Sequence, residues 1–258
     1  MHRFYIPPET WNADKLILSD AEAHHARDVL RLKPGDKVTV FNGRGREIRS
    51  EITAVDRDEI RLRKLNEVQT PPLRCRIALA QAIPKGKNMD LIVQKAVEIG
   101  AAELFPLVSE RTIVDLDKKE AAQKRQKWQQ IAIEAAKQCG QNWLPEVHAP
   151  LKLKTFFDNV EAAVSAAGQA PPPTPLRLIG SLQPDAQHFK KVLDNYVRDH
   201  ETRPQSVVML IGPEGDFTPA ELSLAKSHGC QPITLGPIIL RVETAAIYCL
   251  SILSYELL

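Results

Sequence analysis

The stretch SVVMLIGPEGDFTPAEL, residues 206–222, decides the fold. It opens on a continuous apolar run of strand length, with none of the polar alternation of a half-exposed strand, so it reads as a strand covered on both faces. Gly212 and Gly215 then bracket a tight turn. Thr218, Pro219 and Glu221 follow as an N-cap, a proline at the first helical position and the glutamate of a capping box. A strand, a glycine turn and a helix start are thus written one after another.

The same grammar extends in both directions. Downstream, PITLG at 232–236 reads as a strand ending at Gly236 and Pro237. A loop carrying Arg241 and Glu243 then leads into a terminal helix, TAAIYCLSILSYEL. Upstream, LRLIGSL at 176–182, IALAQAI at 77–83 and ELFPLV at 103–108 read as strands. KNMDLIVQKAVEIG reads as a helix with Met89, Ile92, Val93 and Ala96 on one face and Gly100 as its stop. Lys118 to Gln138 predicts a long charged helix, and the proline-rich GQAPPPTP at 168–175 predicts a surface loop. Strands alternating with helices predict an α/β fold: a mostly parallel sheet with helices on both faces.

The first seventy residues differ. KVTVFNGRGREIRSEITAV alternates apolar and polar residues about a turn at Asn42 to Gly45, which predicts a hairpin, and EIRLRKLNEV alternates again. Asp20 to Leu32 predicts a short helix, stopped by Lys33, Pro34 and Gly35. Thr70, Pro71 and Pro72 read as a linker, because consecutive prolines cannot continue a central strand. The expected organisation is a β-rich domain over 1–72 and an α/β domain over 73–258.

The 258 residues leave room for two such domains with buried cores. The four cysteines form no C-x-x-C pair, which argues against a zinc ribbon, a redox motif or a disulfide framework. The formal charge is only +2, but residues 74–154 carry 14 basic against 9 acidic side chains, so the positive excess is central. No apolar run approaches the ~20 residues of a membrane span, and a cytoplasmic protein is expected.

Ligands of open α/β sheets bind beyond the carboxyl ends of the strands, which directs attention to GPEG and to LGPIILRVETA. Ordinary βα loops with good turn chemistry would also read this way. Against that, Ile238, Ile239 and Leu240 precede Arg241 and Glu243, a mixture suited to an apolar pocket with a few polar contacts. Neither G-x-G-x-x-G after a strand nor a P-loop is present, and no metal cluster or nucleophile motif is found. Gly43 and Gly45 read as a hairpin turn. His24 and His25, adjacent on a helix, make a poor chelate. Arg27, Arg31 and their neighbours form one basic cluster; Lys85 and Lys87, after a strand, are candidates for phosphate contact.

QAIPKGKNMDLIVQKAVEIG, SERTIV, EAAKQCG, LIGPEGDFTPAEL and LGPIILRVETAAI, taken in order, resemble the bacterial small-subunit ribosomal RNA uridine N3-methyltransferase family, of the knotted SPOUT class. The resemblance spans essentially the whole chain. It implies an N-terminal PUA-like RNA-binding barrel and a C-terminal domain whose deep trefoil knot holds S-adenosylmethionine. It also implies a homodimer acting on 16S rRNA, in the 30S subunit, without metal or membrane.

By position, the resemblance assigns Gly212, Glu214 and Gly215 to one cofactor loop. Leu235, Gly236, Ile239, Leu240, Arg241 and Thr244 fall in a second, and Leu178, Ile179 and Gly180 in the remaining wall. Arg241 and Glu243 are the catalytic candidates. Arg3, Arg27, Arg31, Lys85 and Lys87 are the RNA-binding candidates, Arg3 and Arg27 also as residues a partner chain could lend. Lys137 and Gln141 depart from the family pattern, which has a glutamate and an arginine in that motif. A transfer-RNA methyltransferase and a non-catalytic RNA-binding assembly protein are the alternatives. An enzyme for a phosphorylated metabolite would need a phosphate cradle, which the motifs do not supply.

Overall fold

The computed structural model describes residues 1–112, 116–166 and 175–258, so all of the proline-rich segment but Pro175 lies outside the described residues. The chain divides into two units: Met1–Pro72 with Ile133–Leu144, and Leu73–Ala132 with Pro145–Leu258. A division at residue 72 alone takes no account of Ile133–Leu144.

In the first unit, β1 (Arg3–Tyr5), β2 (Leu16–Ser19), β3 (Lys37–Phe41), β4 (Arg46–Val55) and β5 (Glu59–Gln69) form one sheet in the order β1-β3-β4-β5-β2. Apart from the parallel β1–β3 pair, its pairings are antiparallel. The β3–β4 hairpin turns through Gly43 and Gly45, both at positive φ. At Gly45 a β-carbon would sit 2.6 Å from the Thr70 carbonyl oxygen, so only glycine fits. Two register shifts bend β4 against β5. Alternation pays off as a one-sided core of Phe4, Ile6, Leu18, Val38, Val40, Ile48 and Ile60. The helix expected over 20–32 is shorter: α1 (Asp20–His24) passes into a π-helical turn, His25–Val29, and Arg31 at φ 55° turns the chain away.

The second unit is an eight-stranded sheet. Its elements are β6 (Arg76–Ala82), α2 (Asn88–Ile99), β7 (Glu103–Val108), α3 (Lys118–Cys139, whose last turns count with the first unit), β8 (Glu146–Val147) and β9 (Leu151–Lys152). There follow α4 (Leu153–Ala166), β10 (Leu176–Gly180), β11 (Gln187–His188), α5 (Phe189–His200), β12 (Ser206–Ile211), α6 (Pro219–Ser227), β13 (Gln231–Thr234) and α7 (Val242–Leu257). The order is β11-β13-β10-β12-β6-β7-β8, with β9 also on β7, and every pairing among the described residues is parallel.

Parallel sheets are buried on both faces, which explains the unbroken apolar runs. On one face Ala78, Ala80, Val208 and Leu210 meet Phe156 and Phe157 of α4, and Phe217, Leu222 and Ala225 at and within α6. α2 and α7 pack together, and α7 packs on β6 and β12. α2 ends as expected, with Gly100 in the left-handed region at φ 96°. The capping box of α6 is formed: Thr218 Oγ1 accepts from Glu221 N–H, and the Glu221 carboxylate accepts from Thr218 N–H at 2.9 Å. Such a cap stabilises by about 0.5–2 kcal/mol. The same carboxylate, 7 % exposed, accepts from Glu110 N–H at 2.9 Å, tying the exit of β7 to the start of α6.

Candidate active site

β13, β10 and β12 are adjacent, so the residues that follow their carboxyl ends converge. Three loops, Gly180–Leu182, Gly212–Asp216 and Leu235–Val242, line a cavity of about 560 Å³, with Asn88 also in its wall.

The turn after β12 is tight. A β-carbon on Gly212 would lie 3.1 Å from Phe217 N, and Gly215 stands at φ 87°. Asp216 adopts φ 70°, a conformation costly for a non-glycine residue. Its carboxylate offsets this by accepting from Phe217 N–H at 2.8 Å and, across the cavity wall, from Leu182 N–H at 3.2 Å. The Glu214 carboxylate accepts from Lys85 N–H at 3.1 Å, and Arg111 donates to the carbonyls of Gly215 and Asp216. The turn is therefore held from three sides.

The loop after β13 turns at Gly236, φ 107°, where Gly236 N–H donates to Thr234 Oγ1 at 3.3 Å. Ile238 and Ile239 are 74 % and 76 % exposed on this loop and line the cavity together with Leu235 and Leu240. Arg241 is the N-cap of α7 and makes no side-chain cap. The first amides of this 16-residue helix and the Arg241 guanidinium thus present positive potential at the cavity. Among the described residues no ion pair or hydrogen bond engages that guanidinium. Glu243, in the first helical turn, is fixed by Asn88, whose Nδ2 donates to Oε2 at 3.1 Å. An apolar wall, glycine backbone, the Arg241 guanidinium and the carboxylates of Glu214, Asp216 and Glu243 suit a ligand with a flat apolar part and polar ends.

Of the residues expected at a cofactor site, the structure brings Gly180, Gly212, Glu214, Gly215, Leu235, Gly236, Ile239, Leu240 and Arg241 together, with Glu243 beside them. Leu178 and Ile179 do not line the cavity. Both side chains are fully buried in β10, because a strand covered on both faces keeps its side chains in the core. The wall is made instead by Gly180, Ser181 and Leu182, beyond the strand. Thr244 is exposed on α7 and does not line the cavity. Asn88, Leu182, Asp216, Val242 and Ala245 line it without having been expected.

The basic candidates divide. The Arg3 guanidinium binds Glu47 and Asn142 Oδ1 and lies over the Phe41 ring, with the side chain 14 % exposed. Arg27 pairs with the neighbouring Asp28 at 2.6 Å, and Arg31 is exposed. Lys85 and Lys87 are exposed in the loop after β6.

The two family departures are structural. Lys137, 11 % exposed, pairs with Glu22 at 3.0 Å and Glu134 at 3.1 Å within the first unit. Burial raises the Glu22 carboxyl above its ordinary range, although Lys137 pulls it down. Gln141 accepts from Trp143 N–H at 3.2 Å.

Burial pushes the Cys75 thiol up to about 11 and those of Cys230 and Cys249 to about 12, so all three hold their protons at neutral pH. Among the described residues no helix is long and apolar enough to cross a membrane, and no three His, Cys, Asp or Glu cluster as metal ligands.

Two family models match: an RNA methyltransferase domain over residues 71–254 and an RNA methyltransferase PUA domain over 18–65. The chain is 33 % identical to the ribosomal RNA small subunit methyltransferase E of Synechocystis, over 95 % of this chain and 74 % of the relative. It is 29 % identical to that of Bacillus subtilis, over 99 % and 97 %. Two solved structures are similar throughout. The putative methyltransferase Lpg2936 of Legionella pneumophila, in complex with the cofactor SAM, is 34 % identical with a TM-score of 0.82, over 98 % of this chain and 97 % of that one. The small subunit methyltransferase E of Neisseria gonorrhoeae, bound to S-adenosylmethionine, is 29 % identical with a TM-score of 0.81, over 99 % and 98 %.

Proposed function

The chain belongs to the RNA methyltransferase family, among the ribosomal RNA small subunit methyltransferase E proteins, and from that premise we propose that it methylates N3 of a uridine in 16S rRNA, using S-adenosylmethionine. The observation that carries this reading is the cavity at the ends of β10, β12 and β13. Its 560 Å³ lies within the ~300–1,000 Å³ of small-molecule sites, and its apolar loop beside glycine backbone fits an adenosyl group. The Legionella and Neisseria relatives, similar over nearly their whole length, carry that cofactor.

When bound, the cofactor supplies an activated methyl group on a sulfonium. Transfer in line then needs alignment more than a nucleophilic side chain, and the three loops provide the alignment. The obstacle is the uracil N3–H. As that bond breaks, negative charge spreads to the ring oxygens, where the Arg241 guanidinium and the α7 N-terminus stabilise it. Arginine stays protonated and cannot take the proton. Glu243 can: Asn88 holds Oε2, and Oε1 is left to accept. The N3 electron pair forms the new N–C bond as the C–S bond breaks toward sulfur.

In this reading residues 1–72 form the RNA-binding domain and 73–258 the catalytic domain, with the trefoil knot in the segment from β10 to α7. The protein acts in the cytoplasm on the 30S subunit as a homodimer. The exposed α7 stripe of Thr244, Tyr248, Ser251 and Tyr255 supports the last point, because Tyr248 is 44 % and Tyr255 88 % exposed.

The test is incubation with methyl-labelled cofactor and 30S subunits, free rRNA and tRNA in parallel, followed by mapping of the modified nucleotide. Label at a uridine N3 in 16S rRNA is expected. Label on tRNA, or cofactor bound with no label transferred to any RNA, would overturn the substrate assignment.

A further inference from the structure

A second cavity, about 220 Å³, adjoins the first. It lies in the loops that follow β6 and β7, and Glu214 forms part of the wall of both cavities. Lys85, Gly86, Arg111 and Thr112 line it. This space is smaller than the ~300 Å³ at which small-molecule pockets begin, so it does not hold a nucleoside. It does have room for a compact polar group.

Its charge identifies the group. The Lys85 ammonium makes no ion pair or hydrogen bond among the described residues. Arg111 spends one nitrogen on the carbonyls of Gly215 and Asp216 and has no carboxylate partner among the described residues. The remaining donors of its planar fork match an oxyanion with several acceptors. Glu214, the one anion in the wall, already accepts from the Lys85 backbone N–H at 3.1 and 3.4 Å. Gly86 stands at φ 70° with no atom within 4 Å of where a β-carbon would project, so a ligand can approach its backbone closely. Two cations against one carboxylate, beside an open backbone, leave a net positive wall that suits a phosphate.

We propose that this cavity holds a backbone phosphodiester of the RNA, next to the nucleotide whose base enters the first cavity. The inference rests on the reading of the first cavity as the cofactor site. It goes beyond that reading by placing the RNA strand over the loops of β6 and β7. Arg111 has a second consequence there. Because it also braces the Gly215–Asp216 turn, the group that receives the phosphate is the group that positions a wall of the neighbouring cavity.

The experiment compares the wild type with Lys85→Ala and Lys85→Glu. Cofactor affinity is measured by calorimetry, and KM for 30S subunits is measured at several salt concentrations. Cofactor binding and transfer by the wild type establish the underlying reading independently of the variants. The proposal expects cofactor affinity within about twofold of wild type in both variants, which also shows that they fold. It expects KM for the subunit to rise, more for Lys85→Glu than for Lys85→Ala. For Lys85→Ala the dependence of log KM on log salt should flatten by about 0.7 to 0.9, the share of one phosphate. Inorganic phosphate should compete with RNA in the wild type and compete less in Lys85→Glu. An unchanged KM and salt slope in both variants would overturn the proposal, as would phosphate competing with cofactor instead of RNA.

Discussion

Asn88 and Glu243 lie 155 positions apart, yet the Asn88 amide donates to the Glu243 carboxylate at 3.1 Å. One stands at the first residue of α2 and the other in the first turn of α7, so the packing of those two helices fixes a carboxylate in the wall of the cavity. If Glu243 accepts the N3 proton, Glu243→Gln lowers kcat by about 10²–10⁴ with little change in cofactor affinity. Asn88→Asp keeps the shape but sets two carboxyls side by side. Like charges raise the apparent pKa of the pair, so the acid limb of the kcat–pH profile moves to higher pH. A profile that stays in place in Asn88→Asp would reduce the pair to a structural contact.

Arg241 supplies a planar fork at the N-cap of α7, and a lysine there supplies only a point charge. Arg241→Lys is therefore expected to bind cofactor about as tightly as wild type while kcat falls by about 10²–10³, the loss typical of one oxyanion donor. Single-turnover methyl transfer with saturating RNA measures this directly. An unchanged turnover number would remove Arg241 from the chemistry.

Local signals made much of this site legible. The strand, glycine turn and capping box of 206–222 are adjacent in the chain, and each is set by short-range chemistry, so β12, its turn and α6 follow from them. The same holds for α2 with its Gly100 stop. What the sequence hid depends on contacts made far along the chain. Asn88 lies inside the quoted 81–100 motif, but its place at the cavity comes from a partner on α7. Asp216 looks like an ordinary turn residue until Leu182, 34 positions away, donates to it. Arg3 looks like a free cation, and its partners stand 44 and 139 positions off. α4 begins directly after β9 with no turn signal between them, whereas α5 carries a helical pattern of its own in Phe189, Val192 and Leu193.

The exposed stripe of α7 gives a test of assembly. Apolar and aromatic side chains at Tyr248 and Tyr255, recurring at helical spacing with Thr244 and Ser251, present one continuous face that a second copy could cover. The wild type is expected to run as a dimer in light scattering, and Tyr248→Glu with Tyr255→Glu as a monomer that keeps its thermal unfolding cooperative. A wild type that is monomeric at micromolar concentration would rule out the homodimer.

Glu103 gives the protein a pH-dependent stability term remote from the cavity. Burial alone would raise this carboxyl, but His148 and Arg76 outweigh it and hold it below the ordinary carboxylate range. His148 Nε2 lies 3.1 Å from Glu103 Oε2 with its ring stacked on Phe105 at 4.0 Å, and Arg76 donates to Oε1 at 2.7 Å. The unfolded chain has the higher pKa and so binds the proton first. The stabilisation from Glu103 is therefore present above the unfolded value and is lost as pH falls through the folded one. Arg76 is largely exposed, which screens its share, so Glu103→Gln is expected to cost about 1–2 kcal/mol at neutral pH. Urea unfolding of wild type and variant from about pH 6 down to about pH 3 should show the two curves converging as the carboxyl titrates. A gap that keeps its neutral-pH size throughout would assign the loss to packing, not to the charge of Glu103.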